Sequence, residues 1–168
     1  MASVSHNKGP MKKVGIIAGR GELPLKLANK LKDAGRPVYI LLVLNEADPA
    51  LYKDFPSETI AITKVGKFLS ALKRENCELV TMAGPINRPN FKNIFPDKEG
   101  FKLLGKIGSA LSKGDDGLLR AITEFIEERG FKVVGPHELD SGFLADQGTL
   151  GSVQPNPQDH TDIVKGIE

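Results

Sequence analysis

The chain is sparing with the features that would place a protein in a class at once. Its 168 residues include one cysteine, Cys77, so neither an internal disulfide nor a thiolate metal cluster is available to it. No apolar run is longer than residues 38–44, far short of the roughly 20 residues a helix needs to cross a bilayer. Neither sign of charge dominates: 23 Lys+Arg against 21 Asp+Glu leave +2, interspersed along the chain. A nucleic-acid clamp needs a concentrated basic stripe, so no nucleic-acid partner is expected. Residues 1–10 hold no apolar stretch and do not form a secretory signal. They read as a flexible leader or cloning remnant, with Met11 opening the folded part and a reducing cytoplasm as the expected compartment. G-x-S-x-G, H-E-x-x-H and G-x-x-x-x-G-K-[ST] are all missing, which leaves serine hydrolase, zincin and Walker-type NTPase readings without support.

What is present is the composition of an ordinary packed domain, 40% apolar and 26% charged. From Met11 onward, short β-rich runs alternate with longer stretches of helical periodicity. Strands are expected at 14–18, 38–44, 59–62, 79–83 and 131–134. Between them, Leu23, Leu27, Ala28 and Leu31 recur at helical spacing, with Pro24 suited to a first helical turn. Phe68, Leu69 and Leu72 mark a second helix over 66–75. Two more helices are expected at 101–112 and 116–129, the latter with Leu118, Leu119, Ile122, Phe125 and Ile126 in one stripe. This alternation predicts an α/β fold, an open, mainly parallel sheet of about five strands with helices on both faces. The folded domain is expected over 11–139, a linker over 140–158, and over 159–168 the opening of a helix that belongs to a truncated second domain.

In an open parallel sheet, ligands bind outside the carboxyl ends of the strands. That rule selects the loops Gly19-Arg20-Gly21-Glu22, Asn45-Glu46-Ala47-Asp48, Gly84-Pro85-Ile86-Asn87-Arg88 and Gly135-Pro136-His137-Glu138. The helix over 116–129 feeds the fifth strand, so its amino end, Lys113-Gly114-Asp115-Asp116, should face the same edge. Gly19 and Gly21 would let backbone amides approach an anion at a helix start, and Arg20 would add a guanidinium fork suited to phosphate. The alternative is a tight strand-to-helix turn and nothing more. Against the dinucleotide fingerprint G-x-G-x-x-G, the third glycine is replaced by Pro24. Glu46 stands somewhat late for the acid that would hold a ribose. Asp115 and Asp116 suit either an N-cap with a favourable dipole or contact with Mg²⁺ or substrate. Asn87 and Arg88 read as binding groups on a loop. His137 is a candidate base without a visible partner; His6 and His160 fall in segments expected to be flexible. Cys77 reads as a small buried apolar residue.

The ordered blocks of the chain resemble one family. Met11-Lys12-Lys13-Val14-Gly15-Ile16-Ile17-Ala18-Gly19-Arg20-Gly21-Glu22-Leu23-Pro24 is similar to the opening of the UDP-2,3-diacylglucosamine pyrophosphatases of lipid A biosynthesis, the type unrelated to calcineurin-like phosphoesterases. Val65-Gly66-Lys67, Met82-Ala83-Gly84-Pro85-Ile86-Asn87-Arg88-Pro89, Lys113-Gly114-Asp115-Asp116-Gly117-Leu118-Leu119-Arg120, Gly135-Pro136-His137-Glu138 and Asp159-His160-Thr161-Asp162-Ile163 extend the match across nearly the whole chain.

The resemblance implies a Rossmann-like amino-terminal domain of an enzyme that splits UDP-2,3-diacylglucosamine into UMP and 2,3-diacylglucosamine 1-phosphate, with Mg²⁺ as the divalent cation. It implies a second domain that carries an essential catalytic acid, so this portion alone is expected to be inactive. Substrate-binding residues would be Gly19, Arg20, Gly21, Glu22, Asn87, Arg88, Lys113, Asp115 and Asp116. Arg20 departs from the family pattern, where a small residue is common. The acyl chains call for an apolar surface that the sequence does not mark. Peripheral contact with the inner face of the inner membrane and homo-oligomerisation stay open. So do two rival readings: a dinucleotide-binding module and a non-catalytic ligand-sensing domain.

Overall fold

The structure, a computed structural model, describes residues 11–87, 95–110, 114–143, 152 and 155–167. Arg88, Lys113 and the 1–10 segment lie outside the described residues, as does much of the expected linker.

Five strands form one all-parallel sheet: β1 (Val14–Ala18), β2 (Val38–Val43), β3 (Ser57–Ile60), β4 (Leu79–Ala83) and β5 (Lys132–Val133). Their order is β3-β2-β1-β4-β5. The inner strands β1 and β2 are buried at every position, as a sheet covered on both faces requires. The outer strands are polar and short. Ser57, Glu58 and Thr59 stand on β3, and β5 holds only Lys132 and Val133, which leaves little bare edge for another chain to extend. The third strand therefore begins two residues earlier than the apolar pattern indicates, because an edge strand needs no apolar run.

Alternation divides the side chains between two cores. Val14, Ile16 and Ala18 of β1 join Ile40 and Leu42 of β2 beneath α1 (Leu23–Asp33), whose Leu27, Ala28 and Leu31 are buried there. Pro24 sits in the first turn of α1, where its missing amide costs nothing. On the other face, Ile17, Leu41 and Val80 meet Phe68, Ala71 and Leu72 of α2 (Val65–Arg74). That face is also covered by α3 (Lys98–Ala110) and α4 (Gly114–Glu127), with Ile126 of α4 in the same core.

Two helices start earlier than their apolar stripes. α3 begins at Lys98 because Asp97 caps it, its Oδ1 accepting from the Gly100 amide at 2.8 Å. α4 begins at Gly114, so Asp115 lies within the first turn and is not the N-cap that the sequence suggests. The expected loop Gly135-Pro136-His137-Glu138 is closed into a single helical turn, α5 (Pro136–Leu139), with the Gly135 amide bonded to Glu138 Oε1 at 2.8 Å. Within the expected linker, Ser141–Phe143 forms a 3₁₀ turn, and Leu139 and Phe143 pack against the α1 core. Farther on, Asn156 and Asp159 cap α6 (Pro157–Ile167) reciprocally. Asn156 Oδ1 accepts from the Gln158 and Asp159 amides at 2.7 and 3.0 Å, and Asp159 Oδ2 accepts from the Asn156 amide at 2.9 Å.

Candidate functional site

The strand order changes direction between β1 and β4, which makes the crevice above them the topological switch point. Three loops converge there, after β1, β2 and β4. The loops after β1 and β4 are bound face to face. The Gly19 amide donates to Ala83 O and the Arg20 amide to Pro85 O, both at 2.9 Å. A Cβ on Gly19 would meet Pro85 O at 2.5 Å and Gly84 O at 2.7 Å. Gly84 has φ +82°, and a Cβ there would run into the Arg20 carbonyl. These two glycines serve loop-to-loop packing, and the Gly19 and Arg20 amides are not presented to an anion. The reason is tertiary: the partner acceptors come from residues 83 and 85, more than sixty positions away. Gly21 differs, since its φ of +85° places it in the left-handed region while a Cβ would meet open space. Among the described residues, the Gly21 and Glu22 amides at the start of α1 have no acceptor.

On this backbone Arg20, Glu46 and Asn87 form a closed triangle, two sides made by side chains and the third by the Asn87 backbone amide. Arg20 Nη2 donates to Asn87 Oδ1 at 2.9 Å, and Arg20 Nε lies 2.9 Å from Glu46 Oε2. The Asn87 amide donates to Glu46 Oε1 at 3.1 Å. Glu46 Oε2 is fully buried and gains a close ion pair from Arg20 without the alignment of a hydrogen bond. The acid is 11% exposed and the arginine 48%, so a fixed carboxylate orients a cation that still faces solvent. Asn45, left-handed at φ +67°, makes the turn that delivers Glu46; asparagine tolerates that conformation better than most residues. A guanidinium has five donors, and the described partners of Arg20 occupy only its Nε side and one Nη2 hydrogen. Glu22 is turned away along α1 and pairs with Lys26 at 2.7 Å; the hydrogen bond from Lys26 holds its carboxyl below the usual range.

Arg20 and Asn87 are thus brought into direct contact, with Gly19, Gly21 and Glu22 beside them. Glu46 is the site residue that sequence reasoning leaves out, although it stands in one of the loops picked by the strand-edge rule. Its signal was the fingerprint acid, and its partner turned out to be an arginine of the same site. Arg88 and Lys113 lie outside the described residues. Asp115 and Asp116 occupy the first turn of α4, and nothing is described of their side chains. α4 leads into β5, which is parallel to β4, so its amino end stands at the crevice edge. His137 is exposed on α5. Among the described residues no group of three His, Cys, Asp or Glu converges, and Glu46 is paired with Arg20.

Two cavities flank the triangle. One, of about 650 Å³, lies over the start of α1 and the loop after β2, with Arg20, Gly21, Lys26, Glu46 and Asp48 on its wall. The other, of about 310 Å³, lies between the sheet and α2, α3 and α4, with Asn87 at its rim. Asp97 braces that rim. Its Oδ2 accepts from the Gly66 amide at 2.8 Å while its Oδ1 holds Gly100, so a single carboxylate caps α2 and α3 together. Among the described residues no helix is long and apolar enough to cross a membrane.

The chain is similar to a UDP-2,3-diacylglucosamine pyrophosphatase, LpxI, of Caulobacter vibrioides. The two are 38% identical over 158 residues, which cover 94% of this chain and 56% of that relative. The chain therefore spans just over half the relative's length. Similar solved structures include the Bordetella bronchiseptica enzyme WbmG in complex with NAD. It is 11% identical at a TM-score of 0.49, over 77% of this chain and 38% of that one. Another is UDP-glucose-4-epimerase from Stenotrophomonas maltophila with bound NAD and formylated UDP-arabinopyranose. It is 13% identical at a TM-score of 0.45, over 93% of this chain and 47% of that one. The family model of the LpxI N-terminal domain matches residues 13–142, and the chain belongs to that family.

Proposed function

We propose that this chain is the nucleotide-sugar-binding portion of a pyrophosphatase that splits UDP-2,3-diacylglucosamine into UMP and 2,3-diacylglucosamine 1-phosphate. Family membership supports the substrate, and the observation that carries the reading is Arg20. A half-exposed guanidinium is held at the switch point by Glu46 and Asn87, beside the Gly21 and Glu22 amides, which have no acceptor among the described residues. In this reaction a water oxygen forms a bond to one phosphorus and the bridging oxygen leaves with the bonding pair. The water's protons pass to solvent and products. Negative charge accumulates on the phosphoryl oxygens and on the leaving oxygen, where fixed donors lower the barrier most. Arg20 would hold the pyrophosphate through its remaining N–H groups, and the amino end of α1 would add its dipole. Arg88, Lys113, Asp115 and Asp116 complete the proposed binding set. The resemblance leaves the catalytic acid to a second domain, so on this reading the isolated chain binds substrate without turning it over; a divalent cation and contact with a membrane surface belong to the same reading.

The rival dinucleotide reading rests on the G-x-G after β1, and it is weakened because the Gly19 and Arg20 amides are bonded to Ala83 O and Pro85 O while Glu46 is tied to Arg20 and to the Asn87 amide. The test is calorimetric titration of the chain with UMP, UDP-N-acetylglucosamine and NAD. Uridine ligands should bind saturably and NAD should not. Arg20→Ala should weaken uridine binding by about 10- to 100-fold, the worth of a charged hydrogen bond. Arg20→Lys should recover little, since an ammonium lacks the fork. Uridine affinity unchanged in Arg20→Ala would remove this residue from the site, and NAD binding alone would reverse the reading.

A further inference from the structure

A carboxylate next to a phosphate contact is unfavourable on charge alone, and Glu46 is such a group. Among the described residues, the wall of the cavity over α1 sets Arg20 and Lys26 against three acids, Glu22, Glu46 and Asp48. Lys26 is already paired with Glu22 at 2.7 Å, and Asp48 Oδ1 accepts from the Ala50 amide at 2.9 Å. Attraction for an anion therefore does not come from the summed charge of this wall. It has to come from where the Arg20 guanidinium is held. A long side chain that is frozen only on binding weakens the complex by its lost rotamer freedom, and one held in place beforehand does not. Glu46 is built to hold it. The Glu46 amide donates to Val43 O at 3.0 Å, the left-handed Asn45 sets the turn, and Oε1 accepts from the Asn87 amide at 3.1 Å. Its Oε2, buried and without an aligned hydrogen bond, stands 2.9 Å from Arg20 Nε and so grips the arginine through charge. With Asn87 Oδ1 on Nη2, the guanidinium is taken at Nε and at one Nη2 hydrogen. Both Nη1 hydrogens and the second on Nη2 are left, the end-on fork that pairs two phosphate oxygens.

We propose that Glu46 is a positioning residue that presets Arg20 for a diphosphate, and that it thereby raises the affinity for that anion in spite of its own negative charge. The proposal rests on the pyrophosphatase reading for the identity of the ligand, while the hold of Glu46 on Arg20 stands on its own geometry. It fixes the sign of an effect. If charge alone mattered, neutralising Glu46 would tighten the binding of an anion; if Glu46 positions Arg20, neutralising it loosens that binding.

UDP is the probe, titrated calorimetrically into the wild-type chain, Glu46→Gln, Arg20→Ala and the double variant. Glutamine keeps the size of Glu46 and an oxygen for the Asn87 amide, and removes only the charge. Glu46→Gln should weaken UDP binding by about tenfold. In the Arg20→Ala background the same substitution should leave the affinity unchanged or raise it, since no guanidinium is left to position. Tighter or unchanged UDP binding by Glu46→Gln overturns the proposal and leaves the pyrophosphatase reading intact. An equal loss in both backgrounds overturns it as well, because Glu46 would then act on the site without Arg20. The NMR signal of the Arg20 Nε–H in the ligand-free wild type, identified by its disappearance in Arg20→Ala, is a readout that needs neither ligand nor a folded Glu46 variant. It should be resolved from the other arginines and slow to exchange, and in Glu46→Gln it should merge with them. A signal averaged with theirs in the wild type overturns the proposal. No binding of UDP by the wild type, with that signal resolved and dependent on Glu46, overturns the pyrophosphatase reading and the diphosphate assigned here, and leaves Glu46 holding Arg20 for another ligand.

Discussion

The two faces of the sheet are packed differently. Beneath α1, Leu27 and Ala28 are completely buried and Leu31 nearly so, against Val14, Ile16 and Ile40 with no exposure at all. Beneath α2, α3 and α4, several wall residues, including Leu103, Leu104 and Ile122, are only half-buried around an open volume. On the first face α1 is joined only by the short α5 and the turn after it, through Leu139 and Phe143. Three helices share the second, and their mutual contacts hold them over the sheet as a vault. The first face supplies cohesion, and the second keeps space next to the carboxyl edge of the sheet.

The difference is broken most directly by Leu27→Ala. Removing a fully buried leucine from the tight face should cost about 2–5 kcal/mol, read from urea denaturation. Leu104→Ala on the vaulted face should cost clearly less, since its side chain already borders a void; equal losses would mean that the two faces are packed alike. Gly84→Ala comes next. It forces a side chain into both a left-handed backbone and the Arg20 carbonyl, and should cost about 1–3 kcal/mol from backbone strain while weakening uridine binding. Gly21→Ala meets open space and should cost about 1 kcal/mol for the conformation alone. If both glycine variants behave alike, the close approach of the two loops is not what matters at Gly84.

The smallest effect at neutral pH belongs to Cys77 in the second core. Burial pushes its thiol up from 9.0 to about 11, so the fold holds a proton that the unfolded chain releases sooner. Its contribution is complete below pH 9 and is lost as pH rises to about 11. Cys77→Ala should remove that part of the alkaline decline in stability and leave the neutral region flat. A decline of the same size in the variant would assign it to other groups.

Much of this was legible beforehand, and the omissions share a cause. The buried strands 14–18 and 79–83 announce themselves, because a strand covered on both faces must be apolar throughout. β3 is displaced from its expected position because an edge strand carries polar residues at its start. The starts of α3 and α4 are missed because apolar periodicity begins a turn after the helix does. For α3 the actual start is set by Asp97, whose role depends on Gly66, thirty-one positions away. Gly19 shows the same limit at the site. Its residue type permits either an anion-binding amide or a close loop contact, and only the position of Pro85 chooses between them.

The linear pattern determined the layers of this protein: which runs form strands, which helices follow them, and which loops share the carboxyl edge. Those properties are local, set by periodicity and by the short reach of turns and caps. The tertiary structure decided what those loops do. Glu46 is an orienting carboxylate because Arg20 and Asn87 arrive from two other loops within hydrogen-bond distance. The cavity exists because three helices, each with an ordinary apolar stripe, meet over β1 and β4 without closing on one another. Contacts and voids between distant segments have no period in the sequence, and they arise only when the packed elements are set at particular distances and angles.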